Sequence, residues 1–240
     1  MTFDQQEFDI RCEWGAHGIA VLAPISDVVI IIDVLSFSTS VDVAVTQGAM
    51  VFPYRWRDDT AQTYAMSVGA LLADPGRHLS RYSLSPASLT RIPKGTRIVL
   101  PSPNGSALTV AAKPTRVLAG CLRNAGAVAA VAQTYGRKIA VIPAGERWKD
   151  DGSLRPAFED LIGAGVIISH LDGWQSPEAL VALAAFRAVE SELDHALRQC
   201  SSGKELIEWG FATDVMLAAQ LDVSACAPLL VNDAYMRAEV

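Results

Sequence analysis

Acidic, amide and basic side chains follow four apolar segments that are typical of buried β-strands. Asp33 comes directly after the apolar run Val28–Ile32, with Ser38 shortly behind it. Three later segments end in the polar groups Asn104-Gly105-Ser106, Arg123-Asn124 and Glu146-Arg147. Carboxylates bind divalent cations, whereas guanidinium groups and the free N–H groups of helix starts bind anions. A site combining these groups would suit a metal ion together with an anionic ligand.

The segment around Asp33 has the pattern of a βα unit. Val28–Ile32 is continuously apolar, which predicts a central strand of a parallel sheet that is buried on both faces. The triplet Ser38-Thr39-Ser40 predicts the start of a helix. Ligands of open α/β sheets bind at the carboxyl ends of such strands, so Asp33 is a candidate ligand for a cation. A turn-capping role for Asp33 fits this stretch equally well.

The strand–turn–helix pattern occurs four times and predicts a three-layer α/β/α sandwich. Its sheet should be largely parallel, with some antiparallel strands near the ends of the chain. We expect residues 1–240 to form a single domain, and the sequence is compatible with a smaller C-terminal subdomain that begins at about residue 172. Three further elements are predicted: an edge strand within Arg11–Leu22, an irregular loop over the site at Asp74–Gly95, and one long amphipathic helix at Pro177–Cys200. That helix is also a candidate interface for a homodimer.

Composition narrows the classes of partner. A formal net charge of −6 argues against binding to nucleic acid or an anionic membrane. The chain contains no uncharged apolar run long enough to span a bilayer, and its start lacks the pattern of a signal peptide. The four cysteines are scattered without the spacing of a zinc site or a disulfide framework, which favours the reducing cytoplasm.

Several enzyme motifs are missing from the sequence. It has no glycine fingerprint for dinucleotides, no P-loop and no Gly-x-Ser-x-Gly nucleophile turn. The Cys-x5-Arg loop of one phosphatase class is also absent, and Leu35 stands where an Asp-x-Asp phosphatase would need its second aspartate.

Several blocks together resemble the 2-phosphosulfolactate phosphatase family. The similarity begins with Asp33-Val34-Leu35 and the hydroxyl residues behind it, and it continues in order along nearly the whole chain. The matching blocks are Pro103-Asn104-Gly105-Ser106, Leu122-Arg123-Asn124-Ala125, Pro143-Ala144-Gly145-Glu146, Glu159-Asp160-Leu161, Ser202-Gly203-Lys204-Glu205-Leu206 and Gly210-Phe211-Ala212-Thr213-Asp214.

This resemblance implies a Mg²⁺-dependent phosphatase that cleaves 2-phospho-3-sulfolactate, a small acidic phosphate monoester, to 3-sulfolactate and phosphate, as in coenzyme M biosynthesis. The expected catalytic residues are Asp33, Ser38, Arg123 and Glu146. The expected metal ligands are Asp33 and Glu146, followed by Asp160 or Asp214. The expected substrate-binding residues are Thr39, Asn104, Gly105, Ser106, Cys121, Asn124, Arg147 and Lys204, with Arg155 as a further source of positive charge.

The nucleophile stays open among a metal-bound water, Asp33, Cys121 and Ser38, with water or Asp33 favoured. For Cys121, a buried structural thiol is the favoured interpretation.

One difference between this sequence and the family pattern affects the expected substrate. The family pattern has an arginine where this chain has Ser36, and the segment Asp74–Arg77 also differs. Compensation by Arg55, Arg57 or Arg81 is one interpretation, and a less highly charged phosphate ester is another. Two alternatives remain: a protein that binds anions without catalysis, and an α/β enzyme for a different group transfer.

Overall fold

The computed structural model describes residues 3–55, 58–74, 76–77 and 82–239. Its main sheet contains β1 (Ile10–Cys12), β2 (Val28–Ile32), β3 (Met50–Tyr54), β4 (Leu71–Leu72), β5 (Arg97–Pro101), β6 (Arg116–Gly120), β7 (Ile139–Pro143), β10 (Pro228–Val231) and β11 (Ala234–Arg237), and a small ribbon pairs β8 (Glu146–Arg147) with β9 (Leu154–Arg155). The helices are α1 (Gly15–Leu22), α2 (Phe37–Thr46), α3 (Asp59–Ser67), α4 (Pro86–Leu89), α5 (Gly105–Ala111), α6 (Ala125–Tyr135), α7 (Phe158–Ser169), α8 (Pro177–Val189), α9 (Leu193–Gln199), α10 (Ser201–Glu208) and α11 (Ala212–Ala218).

Strand β2 shows why the sheet is covered on both faces. Its five residues are all buried, and successive side chains of a strand point to opposite faces. Val28, Ile30 and Ile32 pack in a core with α6, α7 and α8. Val29 and Ile31 pack in a second core with α1, α2 and α5. The predicted α/β/α arrangement is therefore confirmed.

The sheet order is β1-β7-β2-β6-β10-β11-β3-β5-β4, and all pairings are parallel except those of β10 and β11. The antiparallel β10–β11 hairpin lies between two parallel groups of strands. It joins them through the single pairs Leu229 with Leu118 and Tyr235 with Val51. The final segment of the chain therefore completes the middle of the sheet, and α8 to α11 contribute buried residues to the main core.

Three element predictions differ in detail from the structure. The predicted edge strand is confirmed as β1 (Ile10–Cys12), which lies at one edge of the sheet, but Gly15–Leu22 forms helix α1, because Gly15 has a positive φ of 56° and turns the chain. The predicted helix Pro177–Cys200 divides into α8 and α9 at the exposed turn Glu190–Glu192. The predicted loop Asp74–Gly95 contains the short helix α4, and its residues Arg77 and Leu84 line the cleft described below; residues 75 and 78–81 of this loop lie outside the described residues. Among the helices of the described ranges, none is long and apolar enough to cross a membrane.

Candidate active site

A cleft of about 190 Å³ opens where β2, β5 and β7 end. Its polar lining includes Asp33, Ser36, Arg77, Ser102, Asn104 and Glu146. Asp33 follows β2, Asn104 follows β5, and Glu146 lies three residues after β7. Three of the four predicted polar turns therefore contribute a side chain to one cleft.

The Asp33 carboxylate is buried and fixed by donors from two segments. Oδ1 accepts a hydrogen bond from the Phe37 N–H at 3.1 Å. Oδ2 accepts one from the Gly105 N–H at 2.8 Å and a weaker one from the Ser102 hydroxyl at 3.4 Å. Donors of this kind stabilise the ionised form of a carboxylate. Asp33 therefore presents an oriented carboxylate to the cleft, while it also caps the start of α2.

Gly105 permits this close approach. A Cβ at residue 105 would lie 2.3 Å from Phe37 Cδ1 and 2.8 Å from Asp33 Oδ2. Both distances are shorter than van der Waals contact, so only glycine lets the start of α5 reach the carboxylate. The contribution of Gly105 to the site is a backbone N–H donated to Asp33.

The other hydroxyl groups of these turns face inward. Ser38 Oγ accepts a hydrogen bond from the Asp33 N–H at 2.8 Å and donates to the Ile31 carbonyl at 3.2 Å. Thr39 Oγ1 donates to the Val34 carbonyl at 2.7 Å, and Ser106 Oγ donates to the Leu100 carbonyl at 2.8 Å. All three residues are buried and brace the strand ends, and none of them lines the cleft.

Glu146 is the second carboxylate of the cleft. The Asn104 Nδ2 donates a hydrogen bond to Glu146 Oε2 at 3.0 Å. Burial, together with the nearby charges of Asp33 and Glu159, raises the pKa of Glu146 from 4.5 to about 7. Two neighbouring carboxylates repel each other when both are ionised, and a divalent cation between them would relieve that repulsion.

Asp160 lies directly behind the cleft. Oδ1 accepts a hydrogen bond from the Val34 N–H and Oδ2 accepts one from the Gly145 N–H, each at 2.8 Å. Burial, with Asp33 and Glu159 nearby, raises the pKa of the Asp160 carboxyl well above its usual range. Asp160 thus ties the end of β2 to the end of β7, which positions Asp33 and Glu146 relative to each other.

Asp214 does not line the cleft. Its oxygens accept hydrogen bonds from Arg77 at 2.7 Å and from the Ser85 hydroxyl at 2.6 Å. Within the described ranges, no three acidic, histidine or cysteine side chains are grouped closely enough to form a metal site. Mg²⁺ commonly uses only one or two protein carboxylates together with water and substrate oxygens. Asp33 and Glu146 fit that mode, whereas Asp160 and Asp214 are engaged elsewhere.

A family model described as 2-phosphosulpholactate phosphatase matches residues 20–233. The chain belongs to this family. A probable 2-phosphosulfolactate phosphatase of Deinococcus radiodurans is 31% identical over 221 residues, which cover 85% of this chain and 88% of the relative. A probable 2-phosphosulfolactate phosphatase of Carboxydothermus hydrogenoformans is 30% identical over 213 residues, covering 83% and 84% of the two chains. The 2-phosphosulfolactate phosphatase of Methanothermobacter thermautotrophicus is 30% identical over 136 residues, which are 57% of each chain.

Arg123 is predicted to lie in the active site, but in the structure it pairs with the buried Asp42. Its Nε donates to Asp42 Oδ2 at 2.9 Å, and its Nη1 donates to the Leu217 carbonyl and to Gln220. The Asp42 side chain is fully buried, so Arg123 neutralises a core carboxylate and does not line the cleft. The sequence predicts a site role for Arg123 from its turn position, and a turn position does not show a long-range partner such as Asp42.

Cys121 and Asn124 are also structural in this arrangement. Both are buried, and the Cys121 N–H donates to Asn124 Oδ1 at 2.9 Å. The Asn124 amide donates to the Ala119 carbonyl at 3.3 Å. Burial raises the pKa of the Cys121 thiol far above its usual range, which opposes the thiolate needed for nucleophilic attack.

Basic residues after β7 line a second cavity beside the cleft. This cavity, of about 420 Å³, contains Arg147, Lys149 and Arg155 and shares Glu146 and Ser202 with the cleft. Lys204 is exposed and lines neither space.

Of the three arginines considered as compensation for Ser36, Arg55 is exposed and outside the cleft, whereas Arg57 and Arg81 lie outside the described residues. The cleft instead contains Arg77, which received no role from the sequence. Its only sequence signal was the altered segment Asp74–Arg77.

Proposed function

We propose that this chain is a Mg²⁺-dependent phosphatase for a small acidic phosphate monoester, with 2-phospho-3-sulfolactate as its substrate. The observation that carries the proposal is the pair of cleft carboxylates, Asp33 and Glu146, within a chain of this family. The names of the relatives supply the substrate class. A cleft of about 190 Å³ suits a three-carbon phosphate ester in size.

Asp33 and Glu146 would hold the cation, with Asn104 orienting Glu146 through its amide. When bound, Mg²⁺ neutralises charge on the phosphoryl group and increases its electrophilicity. The acidic side chains of the cleft support a role for the cation, because two bare carboxylates repel a phosphate dianion. Asp160 supports both strand ends from behind.

Water is the nucleophile that the contacts favour. Asp33 already accepts three hydrogen bonds, and both the Ser38 hydroxyl and the Cys121 thiol are buried away from the cleft. In the proposed reaction the water oxygen bonds to phosphorus as the bond from phosphorus to the ester oxygen breaks. The water gives up a proton and the departing alkoxide gains one, yielding inorganic phosphate and the hydroxy acid.

Phosphate release from 2-phospho-3-sulfolactate tests the proposal directly. The protein is first treated with EDTA and then assayed with and without added Mg²⁺. We expect turnover only with Mg²⁺, and we expect Asp33→Asn to reduce kcat by at least about 100-fold. Asp172→Asn, a change at an exposed carboxylate, is the matched control.

Equal turnover in EDTA would contradict the Mg²⁺ requirement. An acid-stable phosphorylated protein, detected by mass spectrometry after rapid quenching, would contradict attack by water. Absence of turnover on a panel of phosphate esters, combined with tight binding of phosphate or of the hydroxy acid, would instead favour the anion-binding alternative.

A further inference from the structure

Arg77 is held rigidly at the wall of the cleft. Its Nη1 lies 2.7 Å from Asp214 Oδ2, and its Nη2 donates to Ser36 Oγ at 2.9 Å. The guanidinium carbon also lies 5.3 Å from the centre of the Phe211 ring. A guanidinium fixed from several sides loses little further conformational entropy when it binds a ligand.

The partner of Arg77 is itself fixed. Asp214 is only 1% exposed, and Oδ1 accepts hydrogen bonds from the Ser85 hydroxyl at 2.6 Å and from the Ala87 N–H at 3.2 Å. These contacts hold the carboxylate independently of Arg77. Asp214 is therefore a positioning residue, and it sets where the guanidinium lies in the cleft.

Arg77 is the positive group in a cleft whose other charged side chains, among the described residues, are acidic. The acidic residues that line the cleft are Asp33, Glu146 and Glu205. Within the described part of the chain, Arg77 is the only lysine or arginine that lines this space. An ester that carries a carboxylate or sulfonate besides its phosphate needs a second positive group, and guanidinium binds both anions well.

We propose that Arg77 binds one of the acidic groups, carboxylate or sulfonate, that the substrate carries in addition to its phosphate, and thereby selects acidic phosphate esters over neutral ones. The inference rests on the proposed function, because it assumes that the phosphoryl end occupies the side of the cleft formed by Asp33 and Glu146. Asp214 and Ser36 orient the guanidinium for this contact.

The kinetic test compares two esters with the same three-carbon skeleton. 2-Phospho-3-sulfolactate carries two acidic groups besides the phosphate, whereas glycerol 2-phosphate carries none. We expect Arg77→Ala to lower kcat/KM for the acidic ester by about 30-fold or more, mainly through KM, and that for glycerol 2-phosphate by less than about threefold. An equal loss on both esters, or no loss on either, overturns the proposal.

Two further variants distinguish a specific loss of ester binding from a general loss of folded protein. Arg77→Lys keeps the charge and should recover part of the preference for the acidic ester. Asp214→Asn should raise KM for the acidic ester by a larger factor than it raises KM for glycerol 2-phosphate, because it displaces the guanidinium of Arg77. Arg187→Ala, on the exposed face of α8, is the control and should change neither ratio.

Binding of 3-sulfolactate in EDTA, measured by calorimetry, separates this inference from the proposed function. This compound has no phosphoryl group, so its binding is measured without turnover. We expect Arg77→Ala to weaken it by about 10-fold or more. A wild-type protein that hydrolyses no ester contradicts the proposed function, while unchanged binding in Arg77→Ala contradicts the role of Arg77.

Discussion

Replacing Glu146 with glutamine is expected to remove a pH-dependent loss of stability from the metal-free protein. The pKa of Glu146 rises from 4.5 to about 7 on folding because the carboxyl is buried beside Asp33 and Glu159. The folded state therefore holds this proton more tightly than the unfolded state does. The contribution of Glu146 to the free energy of unfolding is fully present below about pH 4.5, and it is lost as the pH rises through about 7.

The magnitude follows from the two pKa values. A rise from 4.5 to about 7 corresponds to at most about 3 kcal/mol of unfolding free energy between the two ends of that range. Urea unfolding of wild type and Glu146→Gln in EDTA, at several pH values from 5 to 8, measures the difference directly. Glutamine preserves the size of the side chain and its carbonyl can still accept the Asn104 hydrogen bond.

The expected result is that the advantage of Glu146→Gln over wild type grows as the pH rises through this range. Glu208→Gln, a change at an exposed glutamate, should follow wild type throughout. Parallel curves for wild type and Glu146→Gln would refute the reasoning, because they would mean that Glu146 titrates alike in both states. Added Mg²⁺ should narrow the difference by stabilising wild type above pH 7.

The remaining predictions concern residues around the cleft. Gly105→Ala should destabilise the protein by about 1–3 kcal/mol and lower kcat by at least about 10-fold, since the new methyl group displaces Phe37 and Asp33; urea unfolding and phosphate release measure the two effects. Arg123→Ala should cost about 3–5 kcal/mol by leaving the buried Asp42 carboxylate unpaired, with kcat per folded molecule unchanged, and a selective loss of kcat would contradict this. Cys121 in the native protein should resist thiol reagents until denaturant is added, and rapid native labelling at this residue would show that the thiol is not buried.

Much of the candidate site follows from strand ends. A buried apolar strand followed by a polar turn is a local pattern, and parallel strands place such turns at one edge of a sheet. The strand-end pattern therefore predicts that Asp33, Asn104 and Glu146 lie together, and the structure places all three in one cleft. The same local pattern also predicts the alternation of strands and helices along the chain.

The side-chain partners could not be obtained in the same way. Arg123 and Asp42 are 81 positions apart, and Arg77 and Asp214 are 137 positions apart. Which arginine enters the cleft depends on these long-range ion pairs, and no local periodicity encodes them. The points at which helices end could not be predicted either, because an exposed break such as Glu190–Glu192 has only a weak signal in the local sequence.

The position of the β10–β11 hairpin has a consequence for the order in which the molecule is assembled. Asp33 belongs to one parallel group of strands, whereas Ser102 and Gly105 follow a strand of the other group. The hairpin that connects the groups is formed by residues 228–237. The backbone hydrogen bonds that join the two groups of strands into one sheet can therefore form only after this segment has been synthesised.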